Sequence, residues 1–490
     1  MRRFDLGIII LYLAGITWFG ARFRSSQKTL RDYFLGGRTA PWWAIAFSIV
    51  SAETSTLTVI GTPALAFGGN FGFLQVVGGY LLARIVISIV FLPHYFRGEM
   101  YTAYELIERR FGHRLRKLTA GSFLLLRALA EGVRVFAISI VISIVLGTGE
   151  VASIAVIVCL TLFYTFEGGM TAVIWTDVVQ MLLYVGGAIL SFFVILQHIP
   201  AGWSHVAALA GQAGKFQVFD FRFEPTAGFF ERPYSFWAGV LGGCFLTTAS
   251  HGTEQLMVQR LLAARSQGQS RAALLTSWVV IFLLFSLFLL IGVILFVFYS
   301  GLYSDFRLPL PPAKDSLYPS FIWDYLPTGV AGLVVAAILA AAMSNLSAAL
   351  NSLASTTIID FYRPLVSGRR GRQDSEARSM GLARAATVLW GVVLFLVGLL
   401  ARRWGSVLEA GLSIASVAYG GLLGVFLLGV LTRRVGEKAA MAGMMAGFAT
   451  MVYVWVFTPI AFTWYVAIGT GVTFLVGYLA SLVRGGAVGA

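Results

Sequence analysis

Apolar runs of membrane-spanning length recur along the whole chain, from Gly7 to Leu482, and the stretches between them are too short for a soluble domain. The chain is 58% hydrophobic and 12% charged, whereas soluble domains are about a quarter charged. A soluble fold is therefore excluded, and one all-α membrane domain over 1–490 is predicted. A window of about 20 apolar residues per helix predicts thirteen spans, numbered here in chain order: 4–20, 41–68, 72–95, 118–147, 150–167, 172–197, 235–259, 272–300, 328–361, 382–401, 406–431, 439–457 and 461–483.

The basic residues divide unequally between the two sets of alternate loops. Of the 36 lysines and arginines, 24 fall in one set and 9 in the other. Because cytoplasmic loops carry the excess, we expect a multi-pass protein of the plasma (inner) membrane, with the N-terminus outside and the C-terminus cytoplasmic. Charges in short loops also explain the net charge of +14. A nucleic-acid partner is not expected, since it would need these charges clustered on a solvated domain.

Two spans carry a polar interruption near their middle. Span 2 contains the polar run 51–56 and span 7 the polar run 247–254. Since these spans lie five apart, they predict two five-helix halves, 41–197 and 235–431, with 4–20 and 439–483 peripheral. A five-span unit starts on opposite sides in its two copies, so the repeats are predicted to be inverted, as in many transporters. The alternative is that each polar run serves helix packing alone.

Ionisable residues inside the spans are a second functional signal. Each costs at least about 2.5 kcal/mol on insertion scales, so a function and a partner are expected. Arg127 and Glu131 are four residues apart and are expected to pair. Arg134 is expected to lack an acidic partner nearby in sequence. Arg260 and Asp360 lie near cytoplasmic ends and are expected to reach the interface. The functional candidates are Glu53, Arg127, Glu131, Arg134, Asp177 and Glu254.

Span 9 carries a polar stripe that favours an ion site. Ser344, Ser347 and Asn351 recur at i, i+3 and i+7, so they share one helical face. Hydroxyl and amide oxygens facing an interrupted helix suit a dehydrated sodium ion, because a hard cation takes several oxygen ligands. The alternative is a stripe of small residues for close helix packing.

Four stretches together resemble the sodium:solute symporters, a family that includes sodium-glucose, sodium-proline and sodium-sialic acid cotransporters. They are GlyGlyArg at 36–38, GlyGlyMetThrAlaValIleTrpThrAspValValGln at 168–180, GluGlnLeuMetValGlnArgLeuLeuAlaAlaArg at 254–265 and IleIleAspPheTyrArgPro at 358–364. The resemblance runs from about Phe4 to the last span. It implies a LeuT-type five-plus-five core, import of a small organic solute with Na⁺ as the coupling ion, and no other cofactor.

The resemblance also implies an ion site. One sodium would be held by the carbonyls near Ser51 and Thr54, the carbonyl of Ala341, and the side chains of Ser344 and Asn345, where a hydroxyl residue is usual. Some members bind a second sodium, and the positions similar to that site are Asp177, Ser344 and Ser347, next to Ala348 in place of a hydroxyl. Glu53 matches an aspartate important for sodium in proline transporters, which implies a coupling role.

The solute contacts follow from the same resemblance. Sialic-acid-type members use an arginine on the third core helix to hold the substrate carboxylate, and both Arg127 and Arg134 lie on that helix. The sugar transporters' substrate-binding lysine has no counterpart in 278–287, so a carboxylate is favoured over a sugar. The candidate substrate-binding residues are Ser55, Thr58, Phe73, Gln75, Arg127, Arg134 and Glu254.

Two other functions remain open from the residues alone. A transporter of the same fold could be coupled to protons through Glu53, Asp177 or His251. A membrane-embedded enzyme could use Glu53, Glu254 and His251, but the chain has no HExxH, GxSxG or phosphate-loop pattern, so enzyme activity is not expected. The expected partners are the solute, Na⁺ and the lipid bilayer. The sequence carries no signal for an oligomeric state.

Overall fold

The computed structural model describes residues 2–23, 29–98, 100–147, 149–223, 226, 228–305, 316–365, 376–401 and 407–485. Within these ranges the chain is helical, and the sole β pairing is an isolated bridge between Ala40 and Ala264. The long helices follow the predicted spans: Arg3–Ala21, Trp42–Glu53 with Thr56–Gly68, Phe71–Tyr95, His113–Leu146, Glu150–Gln197 (spans 5 and 6, divided by a kink at Gly169), Phe236–Gly252 with Gln255–Leu262, Gln267–Asp305, Val330–Thr356, Glu376–Ala401, Val407–Leu431, Glu437–Phe457 and Phe462–Gly485.

Short helices lie between these long ones or extend them. Thr357–Tyr362 continues span 9 as a π-helix, and Ile87–Phe91 within span 3 is also π-helical. The remaining short helices are Leu30–Leu35, Gly36–Arg38, Tyr104–Phe111, Gly202–Gln212, Gly228–Glu231 and Leu317–Tyr325.

Ten helices of the described chain are long and apolar enough to cross a membrane, and the two pieces of span 2 together make an eleventh. The prediction of an all-α membrane protein therefore agrees with the structure. The predicted total of thirteen is not confirmed. Span 5 contains only the shorter apolar helix Val151–Phe163, and span 7 is divided into pieces of 17 and 8 residues.

Both predicted interruptions are real breaks in the helices. Span 2 bends by 61° between Trp42–Glu53 and Thr56–Gly68, and the intervening Thr54 and Ser55 have extended backbones. Span 7 ends its first helix at Gly252 and resumes at Gln255, with Glu254 extended between them. Because the ends of a helix lack intrahelical hydrogen-bond partners, each break leaves backbone carbonyl and amide groups inside the protein.

Spans 3 and 7 pack against each other with almost no side chain between their backbones. A Cβ atom on Gly79 would lie 2.3 Å from the carbonyl oxygen of Val240, and one on Gly243 would lie 2.3 Å from that of Val76. Such distances are sterically forbidden, so these positions require glycine. Small residues allow this close approach between membrane helices, and here they fix span 3 against the second broken helix.

Loops that were predicted to share a side of the membrane contact each other. On the predicted outer side, Arg2 donates to the carbonyl of Leu326 at 2.5 Å, and Lys215 donates to that of Phe67 at 2.7 Å. On the predicted inner side, Arg265 donates to the carbonyl of Thr39 at 2.9 Å. The grouping of loops into two sides therefore agrees with the helix order.

Candidate functional site

A central cavity of about 110 Å³ lies between the two broken helices. Span 2 contributes Ser55 and Thr58 from its break and its second helix, and span 7 contributes Glu254 from its own break. Six of the seven predicted substrate residues line this cavity: Ser55, Thr58, Phe73, Arg127, Arg134 and Glu254. The polar interruptions thus bring together the groups that sequence reasoning selected, although their roles stay predictions.

Gln75, the seventh candidate, faces a different cleft near the predicted outer surface. Its Nε2 donates to the carbonyl of Tyr234 at 2.7 Å, and its Oε1 accepts from the backbone N–H of Asp220 at 3.1 Å. Both partners belong to the loop before span 7. The side chain therefore ties span 3 to that loop.

Arg127 occupies the wall of the cavity between two carboxylates. Its Nη1 lies 3.1 Å from Glu254 Oε1, and its Nη2 lies 2.9 Å from Glu131 Oε2, as the four-residue spacing predicted. The hydroxyl of Tyr419 donates to the other oxygen of Glu254 at 2.5 Å. The guanidinium charge is thus balanced across spans 4 and 7 in a buried position.

Arg134 has an acidic neighbour that the sequence reasoning missed. Its Nη1 lies 3.0 Å from Glu131 Oε2, three residues earlier on the same helix. The expectation that it lacks a local partner was therefore wrong. Its side chain keeps 19% of its surface exposed, against 4% for Arg127. Of the two arginines in the cavity wall, Arg134 is the more accessible.

Glu53 ends the first helix of span 2 and meets two groups from other spans. Its Oε2 lies 2.5 Å from Nη2 of Arg84 and 3.3 Å from Nε2 of His251. The Arg84 side chain is fully buried and also donates to the hydroxyl of Ser277 at 3.2 Å. Sequence reasoning selected Glu53 but not its counter-ion. The signal for it was present, since an arginine inside apolar span 3 also needs a partner.

The predicted sodium ligands meet where the break of span 2 crosses span 9. The hydroxyl oxygens of Ser51 and Ser344 are 2.7 Å apart, and the Asn345 amide nitrogen donates to the Ala52 carbonyl at 2.5 Å. The carbonyl groups at the end of Trp42–Glu53 lie here because the helix stops at Glu53. Ala341 lies one turn before Asn345, and Thr54 lies in the break; both are buried. Hydroxyl and carbonyl oxygens of this kind suit a hard cation, so these residues fit sodium.

Asp177, predicted for a second sodium, is fully buried among donors. It accepts from Ser344 at 2.6 Å, from Ser48 at 2.5 Å and from the guanidinium of Arg260 at 2.9 Å. Ser347, predicted for the same site, donates to the Ser344 carbonyl at 3.0 Å. A second ion at this position would have to share the carboxylate with Arg260.

Two residues that were expected to reach the interface are instead buried in ion pairs. Arg260 has 1% of its side chain exposed, beside Asp177. Asp360 is fully buried and pairs with Arg116 Nε at 2.7 Å, while Thr102 donates to it at 3.0 Å. The expectation failed because position along the sequence does not tell whether a side chain points to lipid headgroups or to another helix.

Comparison with known proteins places this arrangement among transporters. The model of the Sodium:solute symporter family matches residues 33–447. The human sodium/iodide cotransporter is 29% identical over 461 residues, which cover 92% of this chain and 69% of that protein. The sodium/sialic acid symporter NanT of Aliivibrio fischeri is 28% identical over 477 residues, covering 96% of this chain and 91% of that one.

A solved structure extends the similarity to the whole fold. It is a sodium-coupled sialic acid symporter, solved in its substrate-bound, outward-open state. The TM-score is 0.87 at 27% sequence identity, and the match covers 98% of each chain. The predicted LeuT-type class agrees with this match, while the boundaries of the two halves stay a prediction.

The pairing of Glu53 with Arg84 can be tested by substitution. Glu53→Gln leaves the Arg84 guanidinium buried without a counter-ion, and breaking a buried pair costs on the order of 3–5 kcal/mol in soluble proteins. We expect a clearly lower melting temperature in detergent. Glu53→Asp is the matched control because it keeps the charge, and it should retain most of the stability. Equal melting of the two variants would contradict Glu53 as the counter-ion.

Proposed function

Because the chain belongs to the sodium:solute symporter family, we propose that its solute is a small organic anion, with a carboxylate as the group that is bound. The protein is a sodium-coupled symporter rather than an enzyme, as its family and its relatives are. The observation that carries the proposal of an anion is the pair of arginines, Arg127 and Arg134, in the wall of the central cavity.

The solutes of the relatives agree with this charge. One relative is named for sialic acid and another for iodide, and both solutes are anions. A guanidinium binds a carboxylate through two parallel N–H bonds, which adds both strength and orientation. We assign this contact to Arg134, since it is the more exposed arginine and pairs with one carboxylate, whereas Arg127 pairs with two.

The other solute contacts come from the break in span 2 and from the cavity wall. Ser55 and Thr58 offer hydroxyl groups beside the extended backbone, and Phe73 offers an apolar surface. Glu254 acts through Arg127 and Tyr419, which hold both of its oxygens. Gln75 acts through the outer loop that it binds, so it shapes access to the cavity rather than contacting the solute.

Sodium binds between spans 2 and 9, at Ser51, Thr54, Ala341, Ser344 and Asn345. Its entry is driven by its gradient and by a membrane potential worth about 2.3 kcal/mol per charge per 100 mV. The ion would fix the end of Trp42–Glu53 against span 9, and the solute-binding residues follow directly after this end in the chain. Each ligand then stabilises the conformation that the other needs, which is a reciprocal linkage.

Sodium is favoured over protons as the coupling ion, and one sodium over two. Glu53 and Asp177, the carboxylates of the proton-coupled alternative, each contact an arginine at 2.5 and 2.9 Å. Each carboxylate already serves as the counter-ion of a buried guanidinium, and protonating it would leave that guanidinium unpaired. At the second sodium position the guanidinium of Arg260 contacts Asp177, and Ala348 has no side-chain oxygen to offer an ion.

The N-terminus is proposed to lie outside and the C-terminus in the cytoplasm, in the plasma (inner) membrane. The excess of basic residues in one set of loops supports this orientation. The contacts between loops support only the grouping of the loops into two sides. In a variant with Cys159→Ser and Cys244→Ser, Arg222→Cys should react with an impermeant maleimide in intact cells. Arg433→Cys should react only after the cells are permeabilised, and the reverse pattern would contradict the orientation.

The transport function is tested by thermal shift of the purified full-length protein in detergent, with sodium replacing potassium at constant ionic strength and pH. The probes are sialic acid, lactate and iodide as anions, with glucose and proline as controls. We expect an anion to raise the melting temperature only in sodium, since a ligand at about 100 times its Kd adds about 2.7 kcal/mol. An equal rise in potassium would contradict sodium coupling, and a rise with glucose alone would contradict an anionic solute.

The ion site is tested by Ser344→Ala, which removes one proposed oxygen ligand. We expect the sodium concentration for half-maximal stabilisation to rise on the order of tenfold. Ser352→Ala is the matched control, because Ser352 is equally buried on the same helix and its hydroxyl donates to the Ala349 carbonyl. An unchanged sodium dependence in Ser344→Ala, or the same rise in both variants, would contradict the assignment.

A further inference from the structure

Asn345 joins the ion site to the solute cavity through the two ends of its amide. Its Nδ2 donates to the Ala52 carbonyl at 2.5 Å, and its Oδ1 accepts from Arg127 Nη2 at 3.2 Å. The residue is only 1% exposed. A carbonyl can only accept and a guanidinium can only donate. These two partners therefore fix which way the amide faces.

Sodium ligation requires the opposite orientation of the same amide. A hard cation binds the amide oxygen and not the NH₂ group. Beside the Ala52 carbonyl, however, the amide presents its NH₂ group. Ligating an ion at the end of Trp42–Glu53 turns the oxygen toward that helix end. The NH₂ group of Asn345 then faces the N–H groups of Arg127, and since both are donors no hydrogen bond can form between them. The ion and Arg127 thus compete for one oxygen atom.

Arg127 carries this competition into the solute cavity. It lines the cavity and contacts Glu254 at 3.1 Å and Glu131 at 2.9 Å. A guanidinium has five N–H donors, and each can serve one acceptor at a time without weakening. When the Asn345 oxygen turns to the ion, the donor that it held becomes available to an acceptor in the cavity. Because the released N–H group of Arg127 belongs to a cation, an anion is the acceptor that it binds most strongly.

We propose that Asn345 is a positioning residue that couples the two binding events: the ion takes its Oδ1, and this releases a donor of Arg127 to the solute anion whose carboxylate Arg134 binds. The inference rests on the proposed function and deepens it, since it names how sodium raises the affinity for the anion. Because the linkage is reciprocal, the anion also favours sodium by drawing Arg127 away from the amide.

The competition is tested with sodium alone, by a double-mutant cycle on the purified full-length protein. Melting temperature is followed as sodium replaces potassium for the wild type, Arg127→Gln, Asn345→Ser and the double variant. Serine keeps an oxygen for the ion but has no second group to hold the guanidinium. We expect Arg127→Gln to lower the half-saturating sodium concentration about tenfold with Asn345 in place, and by less than about twofold in the Asn345→Ser background.

The cycle separates the amide from simple charge repulsion. An equal shift in both backgrounds would mean that Arg127 acts through space, and no shift in either would mean that it does not compete; both results overturn the proposal. Arg134→Gln is the charge control. It also removes a positive charge from this helix, but the side chain of Arg134 contacts Glu131. Its effect should not depend on residue 345. Arg127→Lys keeps the charge beside Glu254 but lacks the planar fork, so it should repeat the pattern if Arg127→Gln fails to fold.

A second readout follows Arg127 itself without any solute. Phenylglyoxal modifies guanidinium groups, and mass spectrometry reports the rate at Arg127. Sodium should speed this modification in the wild type and leave it unchanged in Asn345→Ser. A modification rate of Arg127 that does not change with sodium in the wild type would overturn the proposed release of Arg127. Neither readout needs an anion, so failure of the anion panel and failure of this proposal are separate outcomes.

Discussion

The interior of this protein is organised by the need to neutralise arginines inside an apolar medium. Arg84 meets Glu53, Arg127 meets Glu254 and Arg260 meets Asp177. An unpaired charge in such a position is very costly. Each of these pairs joins two different spans, 3 to 2, 4 to 7 and 7 to 6. Charge neutralisation therefore also contributes to how the spans stand relative to one another, and two of the three pairs place a residue in the wall of the central cavity.

Two of the carboxylates lie at the breaks in the helices, one next to a helix N-terminus and one at a helix C-terminus. Glu254 precedes the helix Gln255–Leu262, whose positive N-terminal end favours an anion. Glu53 is the last residue of Trp42–Glu53, and the negative C-terminal end disfavours it. The fully buried Arg84, at 2.5 Å, balances the charge of Glu53 at this position. Glu254, in contrast, shares Arg127 with Glu131 and Asn345.

The parts of the site that are local in sequence were predictable, and the parts that depend on packing were not. The breaks at Thr54–Ser55 and at Glu254 followed from polar residues that an unbroken lipid-facing helix would not hold. The pairing of Glu53 with Arg84, or of Asp177 with Arg260, needs the relative rotation of helices that are far apart in the chain. For the same reason Gln75 was placed in the solute pocket, although it bonds an outer loop. The count of thirteen spans is not confirmed where spans 5 and 7 are short or divided.

The glycine contact between spans 3 and 7 determines which surfaces can slide. At Gly79 and Gly243 backbone packs directly on backbone, so spans 3 and 7 cannot shift against each other without a steric clash. These two spans should travel as one rigid slab. The contacts of span 9 with span 2 are of another kind, since they are hydrogen bonds of the Ser344 and Asn345 side chains, which can exchange one partner for another. Of the two contacts, the one between spans 2 and 9 is therefore the one whose side chains can rearrange while the backbones of spans 3 and 7 stay together.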